Sequence, residues 1–455
     1  MSLDLRDQLR RAFGPSQPGG RGAVQASSPA AVGSAHSRTV LQPRGPGIHD
    51  LVSGRVVEAA SGECFVGELS LGLDHVHGGR PLADFLQLAD RAIACLARHP
   101  APPALDRSEV LFLDTETTGL SGGTGTYVFI VGAGFFEGEQ FLVRQYFMRH
   151  HAEEPAMLAA LNELFARFRA VVSFNGKTFD LPLLQTRFIA SRQRSALRPE
   201  VHLDLLFPSR RFWRERLESC SLASIEQQIL GHRRTRDVPA WVIPELYFRY
   251  LRSGDARPLV RVFDHNRHDL LSLVAIACRL GQVLGDPAGA PAEPEDLFAV
   301  ARLYEDLGFW DDACACYEQV LAASLTRAGA YFRARVSSRL AALCKRAGRH
   351  ERAVELWQRL ICAGHSSWAP HVELAKFYEH RVRDFGSAIA IVEQALTLFE
   401  LDHVRGVPRS VGERAELERR LARLLVKQRR ASAYLASNQP AASARTAATG
   451  PAPLD

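Results

Sequence analysis

The chain has 455 residues, 46% of them hydrophobic and 23% charged, so it can form two or three domains and is too apolar to be disordered throughout. Its 56 Lys and Arg against 50 Asp and Glu give +6, which permits a polyanionic partner without requiring one. Apolar runs such as Val128–Phe136 fall short of the ~20 residues that span a bilayer. MSLDLRDQLRRAF has no signal-peptide core, so a cytoplasmic protein with no membrane partner is expected. The eight cysteines, none in a CxxC pair, read as buried thiols rather than a disulfide or zinc framework.

In chain order, residues 1–46 are expected to be a disordered leader, since Gly, Pro, Ser and Ala dominate and large apolar residues are scarce. A small preface, 47–105, follows, packed on the next domain. It is predicted to hold strands Leu51–Glu58 and Cys64–Leu69 around the turn Ala60-Ser61-Gly62, then a helix Leu82–Ala97. His75 and His77 could share a strand face and bind metal, but no third ligand is near, and they read as structural.

Residues 106–285 alternate differently. Strands are predicted at Glu109–Asp114, Tyr127–Phe136 and Phe141–Phe147, the last two flanking the turn Glu137-Gly138-Glu139-Gln140. Helix Glu153–Phe168, strand Ala170–Phe174, helix Leu181–Ala190 and strand Val201–Leu205 come next, and everything to Leu280 then reads as helix. Consecutive strands followed by helix–strand alternation predict an α/β mixed sheet with helices on both faces.

Residues 292–430 form an all-α repeat region. Ala301, Tyr304, Gly308, Ala313, Tyr317 and Leu321 recur as Ala341, Cys344, Gly348, Ala353, Trp357 and Ile361, and a third copy runs through Leu374, Tyr378, Ala388, Val392 and Leu396. The anchors Ala313, Ala353 and Ala388 lie 40 and then 35 residues apart. This spacing resembles the tetratricopeptide repeat, which implies a helical stack that binds a protein partner. Tyr304, Tyr317, Trp357, Phe377 and Tyr378 fall at helical spacing and are expected mostly in the stack core. Residues 431–455 are expected to be a disordered tail.

The chemistry concentrates in three segments. Asp114-Thr115-Glu116 ends an apolar strand, and a period of two puts both carboxylates on one face, where a divalent cation would relieve their repulsion. Asn175-Gly176-Lys177-Thr178-Phe179-Asp180 follows a second strand, with Pro182 marking the first turn of a helix, so Asp180 points off the sheet edge. His265 and Asp269, four apart on a helix that continues as a buried apolar stretch, stack on one face and need partners. Asp204 could be an extra acid or a strand-end hydrogen-bond acceptor. His268 is expected on another face in a structural role.

Taken together, Asp-x-Glu, Asn-x-x-x-Phe-Asp and His-x-x-x-Asp resemble the DEDD superfamily of 3′–5′ exonucleases on a ribonuclease H-like fold. The closer resemblance, over about 50–283, is to the YprB-like proteins, through Asp114-Thr115-Glu116-Thr117-Thr118-Gly119-Leu120-Ser121-Gly122-Gly123-Thr124-Gly125 and Cys220-Ser221-Leu222-Ala223-Ser224-Ile225-Glu226 with Leu230-Gly231. The resemblance implies a nuclease using two divalent cations, Mg²⁺ or Mn²⁺, held by Asp114, Glu116, Asp180 and Asp269, with His265 handling the attacking water. The histidine branch spaces His-x4-Asp, and Asp264 stands at that position; His265 has the spacing of the tyrosine branch.

A DNA or RNA substrate needs further contacts, expected from Thr117, Asn175, Lys177, Arg210, Arg211 and Arg214, with Arg216, Arg233, Arg234 and Arg236 as additional basic flanks. Phe212 and Trp213 could stack on bases or form a buried aromatic pair. Gly176-Lys177-Thr178 is no phosphate-binding loop, because its first glycine would fall at Val171. The glycine-rich 119–125 segment joins two strands and is read as letting backbone approach a substrate end. A non-catalytic nucleic-acid-binding scaffold and a structure-specific endonuclease on the same fold remain the rival readings.

Overall fold

The computed structural model describes residues 45–59, 61–99, 104–119, 125–235, 237–287, 289, 293–323, 329–364, 368–405 and 411–437. The expected leader up to 44, the tail from 438, Ala60, most of the glycine-rich segment and Arg236 lie outside them.

The strands are β1 (Gly54–Ala59), β2 (Gly62–Gly72), β3 (Val76–His77), β4 (Arg80–Pro81), β5 (Val110–Thr117), β6 (Val128–Glu137), β7 (Gln140–Phe147), β8 (Ala170–Ser173) and β9 (Val201–Asp204). Seven of them make one mixed sheet in the order β1-β2-β7-β6-β5-β8-β9, and β3 pairs only with β4. β5 lies antiparallel to β6 and parallel to β8, which is parallel to β9. The preface joins this sheet directly, because β2 pairs with β7 from Phe65 opposite Phe147 to Gly72 opposite Gln140.

Side chains alternate across β5: Val110 and Phe112 enter one core, Leu111 and Leu113 the other. Helices cover both faces, as the sequence pattern predicts. They are α1 (Asp90–Ala97), α2 (Glu154–Phe165), α3 (Asp180–Ala190), α4 (Leu206–Trp213), α5 (Leu222–Gln228), α6 (Ile243–Ser253) and α7 (Arg257–Gly285). α7 is long and apolar enough by composition to cross a membrane, yet 78% of its apolar window is buried within the protein. Its start packs in one core through Leu259 and Val262, and its later part, from Leu270 to Leu284, packs in the other.

Two expectations change. The helix predicted over Leu82–Ala97 is a 3-10 turn, Leu82–Phe85, followed by α1. Arg107 Nη2 donates to the Leu88 carbonyl and to Asp90 Oδ1, both at 2.7 Å, so that carbonyl is held outside a continuous helix. The stretch expected to be helical up to Leu280 is interrupted after α4, again between α5 and α6, and briefly between α6 and α7. The second break reaches the candidate site.

Seven further helices follow: α8 (Pro294–Leu307), α9 (Trp310–Ala322), α10 (Ala330–Arg346), α11 (His350–Cys362), α12 (Ala369–Phe377), α13 (Phe385–Val404) and α14 (Val411–Ser437). The anchors Ala313, Ala353 and Ala388 are fully buried, and Tyr304, Tyr317 and Trp357 lie in the stack core as expected. The first part of this stack, as far as Leu374, shares a continuous core with the sheet region, and the last helices pack in a separate cluster. Phe212 and Trp213 are buried in that shared core, which decides their two readings for the aromatic pair. Arg211 pairs with Asp306 at 2.7 Å and Arg216 with Asp296 at 2.9 Å, while Arg91 of α1 reaches Asp312 at 2.6 Å. Arg211 and Arg216, expected to hold nucleic acid, face carboxylates of α8 in the fold. Arg210 and Arg214 stay exposed.

Candidate metal centre

Asp114 and Glu116 arrive on β5, whose residue Asp114 lies opposite Gly132 of β6. That glycine makes room for Asn266 of α7, since a Cβ there would stand 2.3 Å from Asn266 Oδ1. Asn266, fully buried, donates through Nδ2 to Asp114 Oδ2 at 2.8 Å and accepts from Gln145 Nε2 at 2.9 Å. The neighbouring Thr115 hydroxyl donates to Asp180 Oδ1.

Asp180 opens α3 after a tight loop. Asn175 takes a left-handed φ of 69°, and Gly176 has no space for a Cβ, which would lie 2.3 Å from Ser173 Oγ. Asp204 accepts from the backbone N–H of Asn175 at 2.8 Å and of Lys177 at 2.9 Å, and so serves as the strand-end acceptor. Asn175 Oδ1 takes the Thr178 hydroxyl at 2.6 Å, and Thr117 Oγ1 donates to the Gly119 carbonyl at 2.8 Å. Those two side-chain oxygens are used within their own loops, whereas Lys177 is exposed.

α7 supplies the third group. Its 3.6-residue turn puts His265 Nε2 3.5 Å from Asp269 Oδ2, and His265 Nδ1 meets Asp237 Oδ1 at 2.7 Å. One ligand atom each from Glu116, His265 and Asp269 falls within 4.8 Å of the others. Glu116 Oε1 is buried and has no hydrogen-bond partner among the described residues.

The acids act on one another. Burial, then the charges of Asp269 and Asp180, push the Asp114 carboxyl well above its usual range. Burial and the charges of Asp114, Asp269 and Asp180 do the same to Glu116. Asp180 is raised to about 6, by burial first, despite the Thr115 hydrogen bond. A buried oxygen without a donor among the described residues, beside the raised carboxyls of Asp114, Glu116 and Asp180, suits a hard cation with oxygen ligands.

Arg234 is placed differently from its expected role as a free basic flank. Its side chain is 7% exposed and bridges Asp269 to Glu226. The Ser272 hydroxyl donates to Glu226 Oε1, and Ser272 Oγ lies 2.8 Å from His77 Nε2. The His77 ring lies 4.3 Å from His232 and 6.3 Å from His268, so these rings form a separate cluster and His77 has a structural partner. Asn266 and Asp237 are not among the residues the sequence points to, and Arg234 is expected only as a basic flank for nucleic acid. The buried-helix argument applied to His265 and Asp269 also covers Asn266, but nothing local places Arg234 or Asp237 beside Asp269 and His265.

The sheet order, the β5 acids and the α7 pair define a ribonuclease H-like protein with appended helical repeats. An RNase_H superfamily model matches residues 111–280, and a tetratricopeptide repeat model matches 297–331. The chain is 30% identical over 344 residues to the uncharacterized protein YprB of Bacillus subtilis strain 168, spanning 73% of this chain and 80% of that one. It belongs to the YprB family.

Proposed function

We propose that this chain is a divalent-metal-dependent nuclease that removes nucleotides from the 3′ ends of single-stranded nucleic acid. The observation that carries the reading is the gathering of Asp114, Glu116, Asp180 and Asp269 around the unpartnered Glu116 Oε1. Arg234 bridges Glu226 and Asp269, and Asp114, Glu116, Asp180 and Asp269 are the carboxylates that would hold two divalent cations. Mg²⁺ or Mn²⁺ held there would neutralise the scissile phosphate and make water a stronger nucleophile.

The protein groups have separate tasks. Asn266 and Thr115 fix the orientations of Asp114 and Asp180. The Asp237 carboxylate favours the His265 tautomer with its proton on Nδ1, leaving Nε2 to accept a proton from water beside Asp269. Lys177, Arg210 and Arg214 are exposed cations available to the phosphates of a bound strand. The repeats supply a protein-binding surface, where a cavity of about 420 Å³ is floored by Leu321, Leu356 and Leu360 and edged by Arg333 and Arg359.

The test uses 3′-labelled, 5′-labelled and circular single strands of DNA and RNA, with Mg²⁺, Mn²⁺ or chelator. Metal-dependent shortening from the 3′ end, absent in Asp269→Asn, is expected. Cutting of circles would make the protein an endonuclease. Binding without cleavage under every metal condition would make it a non-catalytic scaffold.

A further inference from the structure

We infer that Arg234, anchored by Glu226, is a positioning residue that presents Asp269 to the metal centre; this rests on the metal-dependent reading above. The loop after α5 folds back on its own helix: Gly231 takes a φ of 64°, and the His232 N–H donates to the Glu226 carbonyl at 2.8 Å. That return brings Arg234 over the Glu226 side chain. Arg234 Nε donates to Glu226 Oε2 at 2.7 Å and Nη2 to Glu226 Oε1, while Nη2 also reaches Asp269 Oδ1. Nη1 lies 3.3 Å from His265 Nδ1 and 3.5 Å from Asp237 Oδ2.

A cation beside an acid cluster can play one of two parts. It can be a stand-in that must leave when metal enters, or a fixed support that aims a ligand. The anchoring decides for the support. A planar guanidinium carries five N–H donors, so its fork can hold Glu226 and still spare a donor for Asp269. Glu226 is 2% exposed and held in turn by Ser272, so the anchor does not depend on Asp269. The contact uses Asp269 Oδ1, and Oδ2 is the oxygen beside His265 Nε2. One carboxylate oxygen is thereby committed to Arg234 and the other is aimed at the centre. Partners of this kind orient metal ligands, and their loss costs about 10–100-fold in metal affinity.

The experiment is a Mn²⁺ titration of the full chain by calorimetry, comparing wild type with Arg234→Met, Arg234→Lys and Asp269→Asn, with folding checked by circular dichroism. Arg234→Met should weaken Mn²⁺ binding about 10–100-fold. Arg234→Lys keeps the charge without the fork and should show a smaller loss. Unchanged or tighter binding in a folded Arg234→Met would overturn the inference, the tighter result marking Arg234 as a displaceable counter-ion. If Arg234→Met does not fold, wild-type affinity in Arg234→Lys overturns it instead. Loss of Mn²⁺ in Asp269→Asn alone sinks only the role of Arg234, whereas a wild type that binds no Mn²⁺ sinks the metal reading beneath it.

Discussion

Gly132→Ala tests whether the space above β6 is what holds the centre together. A Cβ at this position would lie 2.3 Å from Asn266 Oδ1, 2.8 Å from Nδ2 and 2.9 Å from Cγ, so the amide must move. Its hydrogen bonds with Asp114 and Gln145 would be lost together. Overpacking costs about 1–3 kcal/mol, and a buried polar group left unpaired costs a similar amount. The smaller unfolded-state entropy of Ala returns up to about 1 kcal/mol, leaving a net destabilisation of about 1–5 kcal/mol. In an Asn266→Ala background the clash is gone, and the same substitution should cost less than about 1 kcal/mol. Urea denaturation of the two single variants, the double variant and wild type measures this coupling. Additive costs, or a Gly132→Ala protein as stable as wild type, would refute the reasoning.

Three other outcomes follow from the same geometry. His265→Ala should lower turnover by about 10²–10⁴ with Mn²⁺ affinity nearly unchanged, and His268→Ala should stay near wild type; a large loss of Mn²⁺ affinity would make His265 a ligand instead. Trp213→Ala should destabilise the protein by about 3–5 kcal/mol in thermal or urea unfolding, because this ring fills the core shared with the repeats; weakened oligonucleotide binding at unchanged stability would restore the base-stacking role. In chelator, the folded-state value of about 6 for Asp180 lies above that of an unfolded aspartate, so its contribution is present at low pH and lost as pH rises through about 6. Asp180→Asn should then show a flatter fall in urea midpoint between about pH 4 and 6 than wild type, and equal slopes would count against the raised carboxyl.

The reach of the sequence depended on how local each signal was. Short continuous apolar runs marked the strands of the central sheet, because both of their faces are buried, and the spacing of small anchors marked the repeats, because close helix pairs recur along the chain. The ordered acids Asp114, Glu116, Asp180 and Asp269 were legible locally as well: each sits at a strand end or on a helix face that its own segment defines. The two readings of Phe212 and Trp213 could not be separated in that way, since a basic helix with an aromatic pair looks alike whether it meets phosphates or the carboxylates of another helix. The setting of Arg234 and Asp237 was equally hidden. They come from a loop between helices, and only its return over Glu226 brings them to Asp269 and His265. Local pattern therefore marked the elements and the acidic positions, and the resemblance in three motifs implied which of those acids would hold metal. The contacts that orient those ligands join residues tens to more than a hundred positions apart, and only the tertiary fold could decide them.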